Sequence, residues 1–357
     1  MTTIQNNSDF LFIYEAINCN PNGDPDQENK PRMDYDTQTN LVTDTRLKRY
    51  IRDYFMQKGL DVFVSMHGTS KVSVDQKMLI VLKEFLDSEE FQSLPDDHNL
   101  KMIWIDLKNK SKLEGFDSNS DFYEMFRKIY KETKSKLKGN EKEAKAVVDK
   151  LFPKFNDEFL LYLTNIKYID VRFFGSAVAV SGFPRTMTGA IQINWGYSLN
   201  EVHPVDSNSI VTIMNDDSST FGKDYRIHYS LIAFHGVANK FAARTTGLKD
   251  EDMEHFRDGI WNAIPSLPTR SKLNQYPKLY LEIIYNNGYH NGHFGDLRDF
   301  VDVKPSETAD DFKKVRKFND LDVDFSRLEK LIADNQGEDK AIKEVKVKTA
   351  EGLSINA

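Results

Sequence analysis

Hydrophobic and polar positions change period several times along the chain. Phe10-Leu11-Phe12-Ile13-Tyr14-Glu15-Ala16-Ile17 is aromatic and β-branched, which predicts a buried strand. Asn20-Pro21-Asn22-Gly23-Asp24-Pro25 follows, dense in turn formers, and opens a polar loop to about Asn40. Some 20 irregular residues inside a compact domain are unusual, and such loops often carry function. A helix is then predicted, with start signals at Thr43 and Asp44. Leu47, Tyr50, Ile51, Tyr54 and Phe55 recur at i, i+3, i+4, i+7 and i+8, while Arg46, Lys48, Arg49 and Arg52 fill the opposite arc.

From about Gln76 to Tyr168 the pattern is helical, charged and Lys-rich, most polar between Lys134 and Lys150, and reads as a helical insertion. A strand is predicted over Tyr168–Phe174, a small-residue loop over Gly175–Gly189, and a half-buried strand over Ala190–Trp195, where the period is two. Ile210–Met214 and Arg226–Leu231 alternate in the same way, and Asn215–Ser219 between them predicts a hairpin tip. A helix over Asp250–Ile264 is expected to stop at Pro265. Lys278–Tyr285 is the last strong strand, and the tail after about Asp310 reads as a charged helix fading into polar sequence. Without the insertion and the hairpin, the order is β-α-β-β-α-β, the ferredoxin-like arrangement shared by RNA-recognition modules. The fold class expected is therefore α+β. A palm comprises 1–75 with 168–310 and a thumb hairpin at about 202–225; a helical insertion covers 76–167, and a tail 311–357.

Composition narrows the class. The chain has 357 residues, enough for a full core, and its 24 Phe and 15 Tyr exclude a largely disordered protein. Cys19 is the only cysteine, so neither an internal disulfide nor a Cys-based zinc site is available, which fits a reducing, cytoplasmic setting. The start lacks a basic region followed by an apolar core, and no apolar run nears a membrane span, so neither a signal peptide nor a membrane partner is expected. The net charge of −7 argues against a nonspecific nucleic-acid binder, yet a local basic face still binds phosphates because screening confines fields to about 10 Å.

Several chemistries fail at the motif level. Gly222-Lys223 lacks the P-loop frame, Gly288, Gly292 and Gly295 lack dinucleotide spacing, and no G-x-S-x-G occurs. His290, His293 and Asp296 offer three metal ligands within seven residues, but in a Gly-rich loop where turn duty explains them better. Asp24, Asp26, Asp34 and Asp36 form an acidic cluster in the early loop; two of them would suit Mg²⁺-dependent phosphodiester cleavage, and turn formation again explains them more simply. The basic helix face is the stronger signal. It opens a helix, where backbone N–H groups favour anions, it follows a loop carrying Lys30 and Arg32, and only Asp53 answers it in the next turn. The second signal is the hairpin, with Ile213 and Met214 near the tip and Phe221 and Tyr225 after it, suited either to packing or to wedging between bases.

Asn18-Cys19-Asn20-Pro21-Asn22-Gly23-Asp24-Pro25, Pro31-Arg32-Met33-Asp34 and Leu41-Val42-Thr43-Asp44-Thr45-Arg46-Leu47-Lys48-Arg49-Tyr50-Ile51-Arg52 together resemble the N-terminal signature of the Cas7 family. Those proteins are the backbone subunits of type I CRISPR surveillance complexes, or Cascade, and the resemblance is to the subtype I-B, Csh2-like form. Asp170-Val171-Arg172-Phe173-Phe174-Gly175, Thr188-Gly189-Ala190-Ile191-Gln192, Trp195-Gly196-Tyr197-Ser198 and Thr269-Arg270-Ser271-Lys272 extend it in the same order.

The resemblance implies an RNA-recognition-like palm with helical fingers and a hairpin thumb, stacked head-to-tail with copies of itself along one CRISPR RNA. It implies guide-RNA contacts at Arg32, Arg46, Lys48, Arg49, Arg52, Arg172, Phe174, Arg185, Arg270 and Lys272, with Ile213, Met214 and Phe221 as thumb residues that interrupt the RNA. Cap, large and small Cascade subunits are implied as partners, together with target DNA and, indirectly, a recruited nuclease-helicase. No catalysis and no cofactor are expected. The alternative is a metal-dependent endoribonuclease of the same superfamily that uses the loop aspartates Asp34 or Asp36.

Overall fold

A computed structural model describes residues 2–64, 74–180, 183–215 and 218–356; at 74, 75, 77, 164, 165, 176–180, 183–186, 211–215 and 218–221 it describes the backbone alone. The chain divides into two compact units, Met1–Leu60 with Ala190–Arg244 and Leu248–Ala357, and Asp61–Gly189 with Thr245–Gly247.

The first unit is built on an antiparallel sheet. Its strands are β1 (Ser8–Cys19), β2 (Met33–Asp34), β3 (Thr39–Val42), β4 (Ile191–Ile193), β5 (Gly196–Ser198), β6 (Ile227–Ala238), β7 (Gln275–Tyr285) and β8 (Ile342–Thr349). The order is β8-β7-β1-β6-β5-β3-β2, and β4 also pairs with β6. β1 is central, with Phe12 opposite Phe234 of β6 and Tyr280 of β7. Its near-continuous apolar run follows from burial on both faces. One face carries Leu11, Ile13, Leu231, Leu281 and Ile283 into a core with Leu297, Val315, Phe325, Leu328 and Ile332. The other carries Phe10, whose ring meets Phe256 edge-on at 5.3 Å. Phe256 belongs to α2 (Asp250–Ser266), which lies beside α1 (Asp44–Gln57). Their approach is so close that a Cβ on Gly259 would sit 2.8 Å from the Phe55 ring.

α1 starts and packs where its pattern predicts. Thr43 is the N-cap, its hydroxyl accepting the Arg46 N–H at 3.3 Å, and Leu47, Tyr50, Ile51, Tyr54 and Phe55 are all buried. Other expectations are corrected. The predicted strand 168–174 is a helix, Ile169–Phe174. Its fully buried Asp170 accepts the Phe63 and Val64 N–H groups at 2.7 and 3.1 Å, so a tertiary bond overrides β-propensity. The predicted small-residue loop that follows holds two paired strands, Gly175–Val180 and Phe183–Thr188. The hairpin strand Ile210–Met214 does not pair with 226–231. It lies in Ser209–Asn215, whose partner is Ser218–Lys223, whereas Ile227–Ala238 is a core strand beside β1. Both runs alternate, and alternation alone does not say which partner a strand takes. α2 runs through Pro265 to Ser266, since a proline in the last turn removes only one helical bond.

The tail is not a fading helix. Asp302–Pro305 pairs with Leu321–Asp324, α3 (Ser326–Asn335) follows, and β8 closes the sheet edge beside β7. The lysines of Ile342-Lys343-Glu344-Val345-Lys346-Val347-Lys348 give an edge strand the polarity of a solvated tail.

The second unit is mainly helical. Val74–Asp87, Asn99–Ser111, Asn119–Lys131 and Asn140–Tyr162 surround an aromatic core with Phe85, Trp104, Phe126, Phe155 and Phe159. Among the described residues, no helix is long and apolar enough to cross a membrane.

Candidate functional site

The residues of the early loop build the start of α1. Asn22 Oδ1 accepts both the Thr43 N–H (2.8 Å) and the Thr43 hydroxyl (2.9 Å), so the Asn20-Pro21-Asn22-Gly23 turn is tied to the helix cap. A Cβ on Gly23 would overlap the Asn29 side chain at 1.9 Å, which explains a glycine there. Asn20 Nδ2 donates to Asn29 O (2.8 Å), and its N–H donates to Ser271 O (2.9 Å). The turn therefore also docks the 269–273 loop against the end of β1. Gln275 completes the frame, donating from Nε2 to Lys272 O (2.7 Å) and to the Tyr50 hydroxyl of α1 (3.3 Å).

Two cations sit in this frame. The Arg46 guanidinium lies 3.9 Å from the Tyr50 ring centroid. Lys272 donates to Asn20 O. Among the described residues, neither has a carboxylate partner. Burial, and then the Arg46 guanidinium, hold the Lys272 ammonium down to about 8. Two half-buried cations that repel each other, with no carboxylate partner among the described residues, are costly, because desolvation and like-charge repulsion both act against them. Arg46 Nε, Asn20 Oδ1 and Gln275 Oε1 are buried and make no hydrogen bond among the described residues. Native proteins leave few such atoms, and each one calls for a partner, such as a water or a bound ion. Cys19, beside this pair, is held up to about 12, chiefly by burial, so its thiol is inert.

The rest of the predicted helix face is less open than expected. Lys48, with 14% of its side chain exposed, donates to Asp44 at 2.8 Å, and Arg49 donates to Asp53 at 2.8 Å. Asp44 stands at the ideal i−4 spacing from Lys48, a pairing legible in the sequence and overlooked there. Arg52 is half-buried and also engaged. Arg32 pairs with Asp24 at 3.3 Å. Arg270 is the most exposed of these cations at 67% and lies 3.4 Å from Asp224. Sequence reasoning missed Arg226, which donates to Asp224 (2.8 Å) and to Asn18 O (2.8 Å), fixing the end of β1; it lay inside a run read only as a strand.

The hairpin's base is tethered to the early loop. Glu28 accepts the Tyr225 hydroxyl at 2.7 Å and the Lys223 ammonium at 3.2 Å, and these bonds hold its carboxyl below the usual range. Ile213, Met214 and Phe221 lie on the hairpin strands, with their side chains outside the described residues. Arg172, Phe174 and Arg185 belong to the second unit. Arg172 is buried and donates to Ile166 O at 3.4 Å, Phe174 tilts against Phe173 with ring centroids 5.8 Å apart, and Arg185 pairs through its backbone with Val178, its side chain lying outside the described residues.

Of the candidate metal ligands, Asp296, Asp24 and Asp34 make structural bonds. Asn291 beside His290 donates to Ser8 O, Asp9 Oδ1 and Ala238 O, while Asp296 clamps Arg298. Asp34 and Asp24 each accept the N–H two residues on, at 3.0 and 3.2 Å, closing turns. Among the described residues, no group of three His, Cys, Asp or Glu is placed to hold a metal ion.

Comparison with known proteins completes the picture. The family model described as CRISPR-associated protein Cas7 matches residues 6–326. A curated protein of Haloferax volcanii with that same description is 29% identical over 352 residues, covering 92% of this chain and 83% of its own. Two solved chains are similar at 13% and 11% identity, with TM-scores of 0.46 and 0.44, each covering 98% of this chain and respectively 94% and 92% of its own. They are described as a CRISPR RNA-guided surveillance complex, the first in a pre-nicking state.

Proposed function

The chain is a member of the Cas7 family, and from that premise we propose that it is the non-catalytic backbone subunit of a type I Cascade, of the subtype I-B form, stacking head-to-tail on CRISPR RNA. Its task is to grip guide phosphates whatever the sequence and leave base edges free to pair with target DNA. The single observation that carries this reading is Arg46 at the start of α1 and Lys272 in the loop docked beside it, two half-buried cations with no carboxylate partner among the described residues. A phosphate there would receive a bidentate guanidinium, an ammonium and the helix's N-terminal field.

The sheet supports the same reading. β7-β1-β6-β5 with two helices on one face is the order an RNA-recognition palm requires. In such a palm, bases usually stack on the open sheet face. Here the segment from Leu297 to Ile332 covers that face, so the RNA path in this proposal runs past the strand ends and α1. The hairpin Ser209–Lys223, a two-stranded ribbon outside the main sheet, is the thumb, and Ile213, Met214 and Phe221 are its candidate wedges. Within the first unit Arg32, Lys48, Arg52 and Arg270 are further proposed RNA contacts; in the second unit Arg172, Phe174 and Arg185 are proposed contacts of their own.

The test begins with the purified protein, its 260/280 nm absorbance ratio and its elution volume with and without RNase. Large, nucleic-acid-rich particles that dissociate on digestion are expected. Binding to single-stranded RNA is then measured against salt for wild type and for Arg46→Ala with Lys272→Ala. Each lost phosphate contact should lower the log–log slope by about 0.7. An unchanged slope removes the pair from the phosphate path, and Mg²⁺-dependent cleavage of the RNA that Asp34→Asn abolishes would replace the proposal with a nuclease.

A further inference from the structure

Trp195 lies between β4 and β5, and 49% of its surface is exposed. Exposing half an indole forfeits much of the burial energy a tryptophan normally supplies. The segment that displays it is nevertheless held on both sides by hydrogen bonds and close packing. Arg298 Nη1 donates to Trp195 O at 2.7 Å. Arg298 is itself buried, clamped by Asp296 at 2.5 Å, and stacked 3.9 Å from the Tyr197 ring centroid. On one side Asn194 N–H donates to His235 O at 3.0 Å. On the other, Gly196 lies flat against Phe234, where a Cβ would meet the ring at 2.5 Å. A buried, doubly held arginine thus anchors the carbonyl of a residue whose side chain stays outside. The Arg32 guanidinium lies 6.0 Å from the indole centroid. Its Nε is buried and makes no hydrogen bond among the described residues, and Asp24 pairs with its distal Nη1.

We propose that Trp195, with Arg32 beside it, is a stacking platform for one unstacked nucleobase of the bound RNA. This rests on the RNA-binding reading and adds a base contact to it. The chemistry suits an RNA of any sequence, because every base offers a π-face and stacking reads no base edge. Arg32 lies where the phosphate or ribose attached to that base would pass, and a guanidinium serves both stacking and phosphate.

The experiment compares wild type, Trp195→Ala and Trp195→Phe on an unstructured single-stranded RNA and on an abasic ribose-phosphate strand of equal length and charge. Trp195→Ala is expected to weaken RNA binding about 5- to 150-fold, the span of one base stack. It should leave abasic binding and the salt slope unchanged, and Trp195→Phe should recover most of the loss. Equal loss on both strands, or loss on neither while wild type binds RNA, overturns the platform. A variant that binds RNA normally but fails to assemble in larger particles also overturns it, assigning the indole to a neighbouring copy. Wild type binding neither strand would instead refute the RNA reading itself.

Discussion

At the scale of single residues, Lys272 carries the sharpest consequence. Its ammonium is held to about 8 in the fold, while an unfolded lysine keeps its proton to about 10.4. Between those values the unfolded chain binds more protons, so from pH 8 upward this residue makes the free protein more stable. A phosphate at the site favours the charged form, so RNA affinity should fall over the same interval, by up to about tenfold per pH unit. Urea denaturation and anisotropy titrations between pH 7 and 9.5 should therefore move in opposite directions. Lys272→Arg, charged throughout, should flatten the affinity profile; a profile identical to wild type would exclude Lys272 from the site. Gly196 makes a separate prediction. Alanine there must displace the Phe234 ring, so Gly196→Ala should cost about 1–3 kcal/mol in denaturant unfolding.

At the scale of elements, what the sequence disclosed depended on whether the deciding contacts were local. α1 was legible because its cap and its apolar stripe lie within fifteen residues, and Leu47, Tyr50 and Ile51 are buried as their spacing requires. The 169–174 helix was not, because the bonds that set it come from Phe63 and Val64, more than a hundred residues away. The site divides the same way. Arg46 stood out on its helix, but its lack of a counter-charge among the described residues, and the repulsion it shares with Lys272, depend on a turn that joins residues 20 and 271. Trp195 stood out only as the end of a half-buried strand and part of a motif, since exposure is a property of the fold. The hairpin is separable in this sense: the Asp224 N–H donates to Asn208 O at 2.7 Å and closes its base independently of the tip. Replacing 209–223 by a short Gly-Ser link should leave the thermal midpoint within a few degrees of wild type and preserve phosphate binding. Regular interruptions in the bound RNA, read by 2-aminopurine fluorescence, should disappear. Their persistence would show that another element bends the RNA.

At the scale of the whole molecule, charge and assembly have to be reconciled. A chain with a net charge of −7 is expected to coat a polyanion, which requires its positive charge to be local and desolvated rather than general. Arg46 and Lys272 have that character, whereas Lys48, Arg49 and Arg32 have carboxylates at hand. Titrating RNAs of increasing length should then add copies in whole steps, read by mass photometry, with no large particles in RNA's absence. Length-independent oligomers would move the assembly onto protein contacts alone.

The two borders of the sheet bear on how such a protein survives its own crowding. On one side β2 is two residues long; on the other β8 carries Lys343 and alternates Val345 and Val347 with Lys346 and Lys348. Short and lysine-studded borders both discourage a foreign strand from adding to the ladder. If copies stack on RNA as proposed, they reach local concentrations at which an open border would seed cross-β fibrils. The lysines that disguised β8 as a solvated tail are, on this view, what keeps a crowded array of sheets from fusing into one.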